Sequence, residues 1–277
     1  MLRRILVGFD GSVGSRDALA LARSLAAADR ASLSLLACVG DVSGTGSEEG
    51  LAAAARELLG GRQHSLRVIA GVPAPKALVE AAAEAGADAI VIGSTHRGAL
   101  GRVLPGSVGE RLLQGAPCAV VVAPRDYAGR NHFGIGELGV GYDGRPEARD
   151  ALHLAASLAS DLGASLRLIA ADRPIEPHDL LPGDLPPTRE ELDAALERAL
   201  AALGDEVDAS AEVVSGPPAT VLAERGVELD LLVIGSRGYG PVRHTLLGGV
   251  SAEVARTAPC PVMVVPRSAG EARPGEG

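Results

Sequence analysis

The sequence predicts two tandem α/β domains, each a doubly wound parallel sheet covered by helices on both faces. Three observations carry this. The chain of 277 residues repeats itself once over its length. Within each repeat, short apolar runs alternate with longer segments of helical period. The runs are apolar on both faces, as strands buried in a parallel sheet must be. The repeat unit of about 120–130 residues is too long for a solenoid and long enough for a domain.

The elements follow in order. Runs at 5–9, 32–38, 66–70, 89–92 and 119–123 are four to seven residues long and read as buried strands. Between them, 16–28 and 51–59 place Ala and Leu at i, i+3 and i+4 with charges opposite, as amphipathic helices do. The second half repeats this series. Asp10 lies over Asp143 at an offset of 133, and Gly71 over Gly216 at 145. Gly93 lies over Gly235, Cys118 over Cys260 and Arg125 over Arg267, all at 142. Such length differences belong in loops and helix ends. The domains are expected at 1–126 and 138–268, with a polar, glycine-containing linker at 127–137 and a disordered tail at 269–277. Crossovers should be right-handed, and a ligand should sit beyond the carboxyl ends of the strands.

Composition excludes several functions. A net charge of −9 repels phosphate backbones, and five aromatics are too few for base-stacking platforms, so nucleic acid is not an expected partner. No stretch approaches the ~20 apolar residues that span a bilayer, so a membrane is not expected either. The apolar run near the start is too short for a signal-peptide core. Cys38, Cys118 and Cys260 are odd in number, far apart and set in apolar runs, which reads as buried free thiols in a reducing cytoplasm. Lys76 is the single lysine, and no Gly-Lys-Ser/Thr occurs, so there is no P-loop.

Two polar clusters recur at the strand ends. The first is Gly8-Phe9-Asp10-Gly11-Ser12, mirrored by Gly141-Tyr142-Asp143-Gly144-Arg145. Asp10 and Asp143 read equally as carboxylates for a ligand's amino or hydroxyl groups and as caps of the following helices. The second cluster runs Gly93-Ser94-Thr95-His96-Arg97-Gly98 and, after a spacer, Gly106-Ser107-Val108. Its mirror runs Gly235-Ser236-Arg237-Gly238-Tyr239-Gly240 and then Gly248-Gly249-Val250-Ser251. Glycines admit an anion close to the backbone, and amides at a helix N-terminus donate to phosphate oxygens. A flexible turn before an ordinary helix start gives the same residues without a ligand.

This ordered set resembles the universal stress protein family in its tandem form, over nearly the whole chain. The resemblance rests on the Val-Gly-x-Asp-Gly opening, the Val-Ile-Gly-Ser strand end and the closing Ala-Pro-Cys-x-Val-x-Val-x-Pro-Arg strand, each found twice. It implies flavodoxin-like, Rossmann-like sheets in the order 3-2-1-4-5, and in one branch ATP, alone or with Mg2+, bound through Gly-x2-Gly-x9-Gly-Ser/Thr. In the first half Gly93, Gly106 and Ser107 fit that pattern, whereas His96 stands at the second glycine and Gly98 follows two residues later. In the second half Gly235, Gly238 and Gly248 fit, whereas Gly249 replaces the hydroxyl residue. By the same resemblance Asp10 and Asp143 face the adenine neighbourhood, and Val39 and Asp172 end the second strands beside the base. Asp172 puts an anion where the first half has Val39. The last strands, around 118–124 and 260–266, are apolar sheet edges that in similar proteins pair with each other, so one chain imitates a dimer. A further homodimer is open.

Three functions are then weighed. An enzyme lacks support: no histidine sits in a metal spacing or recurs in the other half, and no Gly-x-Ser-x-Gly elbow occurs. A nucleotide-binding regulator of the stress response fits the glycine loops, with slow incidental ATP hydrolysis left open. The alternative is an interaction or protective module of the same fold that binds no nucleotide.

Overall fold

The computed structural model describes residues 2–26, 31–39, 47–95, 103–129, 134–173, 186–236 and 249–266. The first half runs β1 (Arg4–Gly8), α1 (Val13–Leu25), β2 (Ser32–Val39), α2 (Glu48–Leu59), β3 (His64–Ala70), α3 (Ala74–Ala85), β4 (Ala89–Gly93), α4 (Ser107–Gly115) and β5 (Ala119–Ala123). The second runs β6 (Glu137–Gly141), α5 (Pro146–Leu162), β7 (Ser165–Asp172), α6 (Arg189–Leu203), β8 (Ala209–Ser215), α7 (Pro218–Arg225), β9 (Leu231–Ser236), α8 (Gly249–Thr257) and β10 (Val262–Pro266).

All ten strands form one sheet in the order β3-β2-β1-β4-β5-β10-β9-β6-β7-β8. Each half is therefore a parallel 3-2-1-4-5 sheet, and the two join where β5 meets β10 antiparallel. That junction pairs Val122 with Val262, Val121 with Met263 and Val120 with Val264. Val121 and Met263 are equivalent positions of the repeat (263 − 121 = 142), so the local twofold passes between them. All six side chains are buried to within 2% exposure. Two apolar edges that would template aggregation thus cover each other.

Element ends moved for identifiable reasons. The first helix starts at Val13, ahead of its apolar period, because Ser12 caps it, its Oγ accepting from the Ser15 N–H at 3.3 Å. The second starts at Glu48 because Ser47 caps it in the same way. Strand β3 begins at His64, two residues early, because its ladder with β2 begins at Leu33 paired with His64. The expected linker is in part docked: Tyr127 is 3% exposed, and Asp17 accepts from the N–H groups of Asp126 at 2.9 Å and Ala128 at 2.8 Å. Residues 130–133 and the tail lie outside the described residues.

Opposite the glycine loops, both halves carry the same clamp. Asp88 accepts from the N–H groups of Arg3 and Arg4 at 2.7 and 2.8 Å, and Asp230 accepts from those of Gly136 and Glu137 at 2.8 and 3.0 Å. One carboxylate thus ties the start of the first strand to the start of the fourth in each domain. Among the described residues no helix is long and apolar enough to cross a membrane.

Candidate functional site

The carboxyl edge of each sheet is where loops, helix starts and polar side chains converge. In the first half, Phe9 continues β1 by donating its N–H to the Leu36 carbonyl at 2.9 Å. The chain then turns through Gly11 at φ +80°, which a side chain would strain. The exposed Asp10 is not the helix cap. Its Oδ1 accepts from the Ser12 N–H at 3.0 Å, while Ser12 itself caps α1. Partial burial pushes the Asp10 carboxyl up, but hydrogen bonds from Ser12 and Ser15 outweigh it and hold the group below the usual carboxylate value. A preformed, ionised acceptor stands at the edge. Asp143 repeats the turn, accepting from the Arg145 N–H at 3.1 Å, with Gly144 at φ +76°. The cap position there is Arg145, whose side chain caps nothing and whose Nε lies 3.9 Å from Asp143 Oδ2.

Several candidate residues serve packing. A Cβ on Gly93 would collide with the Gly14 carbonyl, and one on Gly235 with the Glu147 carbonyl, so each lets the first helix of its half sit on the fourth strand. Gly8 and Gly141 face aliphatic neighbours, Ile92 and Leu78 in one half and Ile234 and Leu222 in the other. Ser94 is 6% exposed, and its hydroxyl donates to the Ala123 carbonyl at 2.7 Å and accepts from the Leu104 N–H at 2.9 Å. The Thr95 N–H donates to the Leu104 carbonyl at 2.9 Å. Ser94 therefore ties the root of the glycine loop to its return. Ser251 is likewise spent, its Oγ donating to the Gly235 carbonyl at 3.0 Å.

Among the described residues, the start of α4 carries no such side-chain bond. Gly106 is its cap and offers no side-chain acceptor to the first-turn N–H groups. Its Cα lies against Thr95, where a Cβ would clash with the methyl group. Ser107 opens the helix with an exposed side chain, and Val108 is half-buried. In the second half Gly249 opens α8 with no hydroxyl, a Cβ there would meet nothing within 4 Å, and Val250 is 37% exposed. Val39 ends β2 and Asp172 ends β7. Asp172 does not stand alone: Arg189 Nη1 lies 3.6 Å from its Oδ2. His96, Arg97, Gly98, Arg237, Gly238, Gly240 and Gly248 lie outside the described residues.

Among the described residues no group of three His, Cys, Asp or Glu side chains could hold a metal ion. None of the three cysteines forms a disulfide; Cys260 is buried, whereas Cys38 and Cys118 are only half-buried. Burial and the nearby Asp88 push the Cys118 thiol up to about 11. A cleft among Gly136, Ala159, Gly163, Ser165 and Asp208 opens at the amino ends of β6 and β7, away from the glycine loops.

Sequence reasoning passed over Asp17, Arg189 and Val103. Asp17 was detectable, because Asp150 repeats it at the offset of 133 inside a helix where a buried charge is unusual. Arg189 and Val103 carry no such signal.

The universal stress protein family model matches residues 1–124 and 135–266. A universal stress protein of Mycobacterium tuberculosis (strain H37Rv) is 34% identical over 185 residues, covering 66% of this chain and 63% of its own. The match thus spans less than two thirds of that relative's length. A universal stress protein from Archaeoglobus fulgidus superimposes with a TM-score of 0.67 at 23% identity, covering 97% of each chain. A putative universal stress protein from Pseudomonas aeruginosa gives 0.71 at 20% identity, covering 96% of this chain and 93% of its own. At those identities the superpositions speak to the fold alone. With both halves matched in sequence, and the tandem architecture matched in space, the chain belongs to the universal stress protein family.

Proposed function

We propose that this stress-response protein binds ATP, alone or with Mg2+, at the carboxyl edge of its first half, and that it works as a regulator with no dedicated catalysis. One observation carries the reading: an exposed hydroxyl, Ser107, opens a helix whose glycine cap leaves the first turn without a side-chain acceptor, on the sheet edge that also presents ionised Asp10. The helix dipole and its N–H groups favour a phosphate there. In this reading Gly106, Ser107 and Val108 hold phosphate oxygens, Asp10 accepts from the base or ribose, and the Val39 backbone meets the base. His96, Arg97 and Gly98 belong to the same proposed set and lie outside the described residues. ATP acts by binding one conformational or assembly state better than another. The domains are 1–126 and 138–268, and a reducing cytoplasm suits three cysteines that form no disulfide.

The test is nucleotide content after purification without added ligand, then ATP titration of wild type, Asp10→Ala and Ser107→Ala. Retained ATP, with affinity weakened in both variants, is the expected result. An empty wild type that ignores millimolar ATP with magnesium overturns it.

A specific observation favours the second reading, an interaction module, for the second half. There Gly249 has no hydroxyl, and both Asp143 and Asp172 are faced by arginines that the first half lacks at those positions.

A further inference from the structure

We infer that the second half of the chain holds the entry to α4, from Val103 to Gly106, in place through α8, so that the two carboxyl-edge sites are coupled rather than independent. The coupling rests on the nucleotide reading above; the holding contact does not. Its centre is Val103, where the first glycine loop returns toward α4. Val103 is fully buried, and it belongs to the same apolar cluster as Val254, Ala255 and Ala258 of the second half. Its N–H donates to the Ala258 carbonyl, just past the end of α8, at 3.0 Å.

The neighbouring residues make this a two-sided anchor. Leu104 is bonded through its N–H to Ser94 Oγ and through its carbonyl to the Thr95 N–H, and Ser94 is bonded to Ala123 of β5. Three residues after Val103 comes Gly106, the cap of α4. The cap that would receive phosphate is thus tied on one side to its own sheet and on the other to the partner domain.

The far end of α8 reaches the other site. The helix opens at Gly249, the counterpart of Ser107, and Ser251 in its first turn bonds the Gly235 carbonyl at the end of β9. Nine residues at about 1.5 Å each make a strut on the order of 13 Å long. The acceptor for Val103 is the carbonyl of Ala258, the residue that follows that strut, and Val254 and Ala255 in its last turns are fully buried. A close-packed helix moves as a body, so a ligand that shifts its N-terminus shifts the acceptor under the first loop. By linkage, a ligand in the first site biases the second by the same factor.

Hydrogen exchange on the full chain tests the tie without any ligand. Val254→Ala trims α8 where it packs, and Val103→Ala trims the loop side; neither residue belongs to the proposed nucleotide contacts. Peptides spanning 94–109 should exchange severalfold faster in both variants, at unchanged global melting for at least one. ATP titration then reads the coupling: affinity in the first half should fall about five-fold or more in either variant. In wild type, ATP should slow exchange at the end of α8. Unchanged exchange at 94–109 in a folded variant overturns the tie. A wild type that binds ATP with no response at α8, and with both variants binding equally well, overturns the coupling. A wild type that ignores ATP overturns the nucleotide reading alone, because the exchange comparison is made without ligand.

Discussion

At the amino-terminal edge of the sheet the two halves carry one clamp in duplicate, Asp88 on Arg3 and Arg4, and Asp230 on Gly136 and Glu137. At the carboxyl edge they have drifted apart. The first half opens α4 with Ser107 and ends β2 with an apolar residue, whereas the second opens α8 with Gly249 and ends β7 with Asp172 beside Arg189. The Asp turn survives in both, but Ser12 caps one helix by its side chain and Arg145 caps the other without one. Duplicated domains keep what the backbone requires, because a buried or clamped backbone group tolerates no substitute.

The largest effects should come from positions the halves share. Gly93→Ala and Gly235→Ala each drive a Cβ into a helix carbonyl, and overpacking of that kind costs about 1–3 kcal/mol or more. Thermal unfolding should drop for both, with Gly93→Ala the more damaging because its clash is the closer. A tolerated Gly235→Ala would show that the second half has relaxed even its packing.

Asp17 comes next. Asp17→Ala leaves the N–H groups of Asp126 and Ala128 without their acceptor, a loss of about 1–3 kcal/mol by denaturant unfolding. Burial pushes the Asp17 carboxyl up, against the hydrogen bonds from Ala128 and Asp126 that pull it down. A folded-state value above the unfolded one means that the folded chain binds the proton more tightly. Stability from this group is therefore full below the unfolded value and declines as pH rises through the folded one. Wild type compared with Asp17→Asn from acid to neutral pH checks the sign; a wild type that instead gains stability over that window contradicts it.

The next pair exchanges the halves' difference directly. Gly249→Ser adds the missing hydroxyl into open space, and Ser107→Gly removes it from the first half. A hydrogen bond contributes about 0.5–1.5 kcal/mol, so ATP affinity should rise a few-fold at one site and fall a few-fold at the other. Calorimetric stoichiometry reads both. No change in either would show that the hydroxyl is not what separates the halves.

The smallest effect concerns the thiols. With Cys118 at about 11 and Cys260 buried, a native chain at pH 8 should resist iodoacetamide at both, since about one part in a thousand of the Cys118 thiol is then ionised. Peptide mass spectrometry after timed alkylation checks it, and rapid labelling of Cys118 would mean an opening near β5.

Much of the fold was legible because its signals are local. Apolar runs such as 119–123 announce strands, and the offsets between Asp10 and Asp143 and between Gly93 and Gly235 announce a duplication. The site was legible only as a set of residue types. Ser94 reads in the sequence as part of a ligand-binding cluster, and in the structure its hydroxyl holds Leu104 and Ala123 together. Asp10 looked equally like a cap, and the cap is Ser12. Hydrogen-bond direction depends on where a second strand or loop lies, which no local pattern encodes.

The sequence alone determined the alternation of strand and helix, the twofold repeat and the glycines at Gly93 and Gly235, because periodicity and the absence of a side chain act over a few residues. Tertiary structure alone decided three further things. The edges β5 and β10 close on each other about Val121 and Met263. Asp17 seizes the chain leaving the first half. Val103 of the first loop finds its acceptor in the second half at Ala258. Each joins residues about 110 to 155 positions apart, and such contacts exist only once packed layers bring two buried surfaces together.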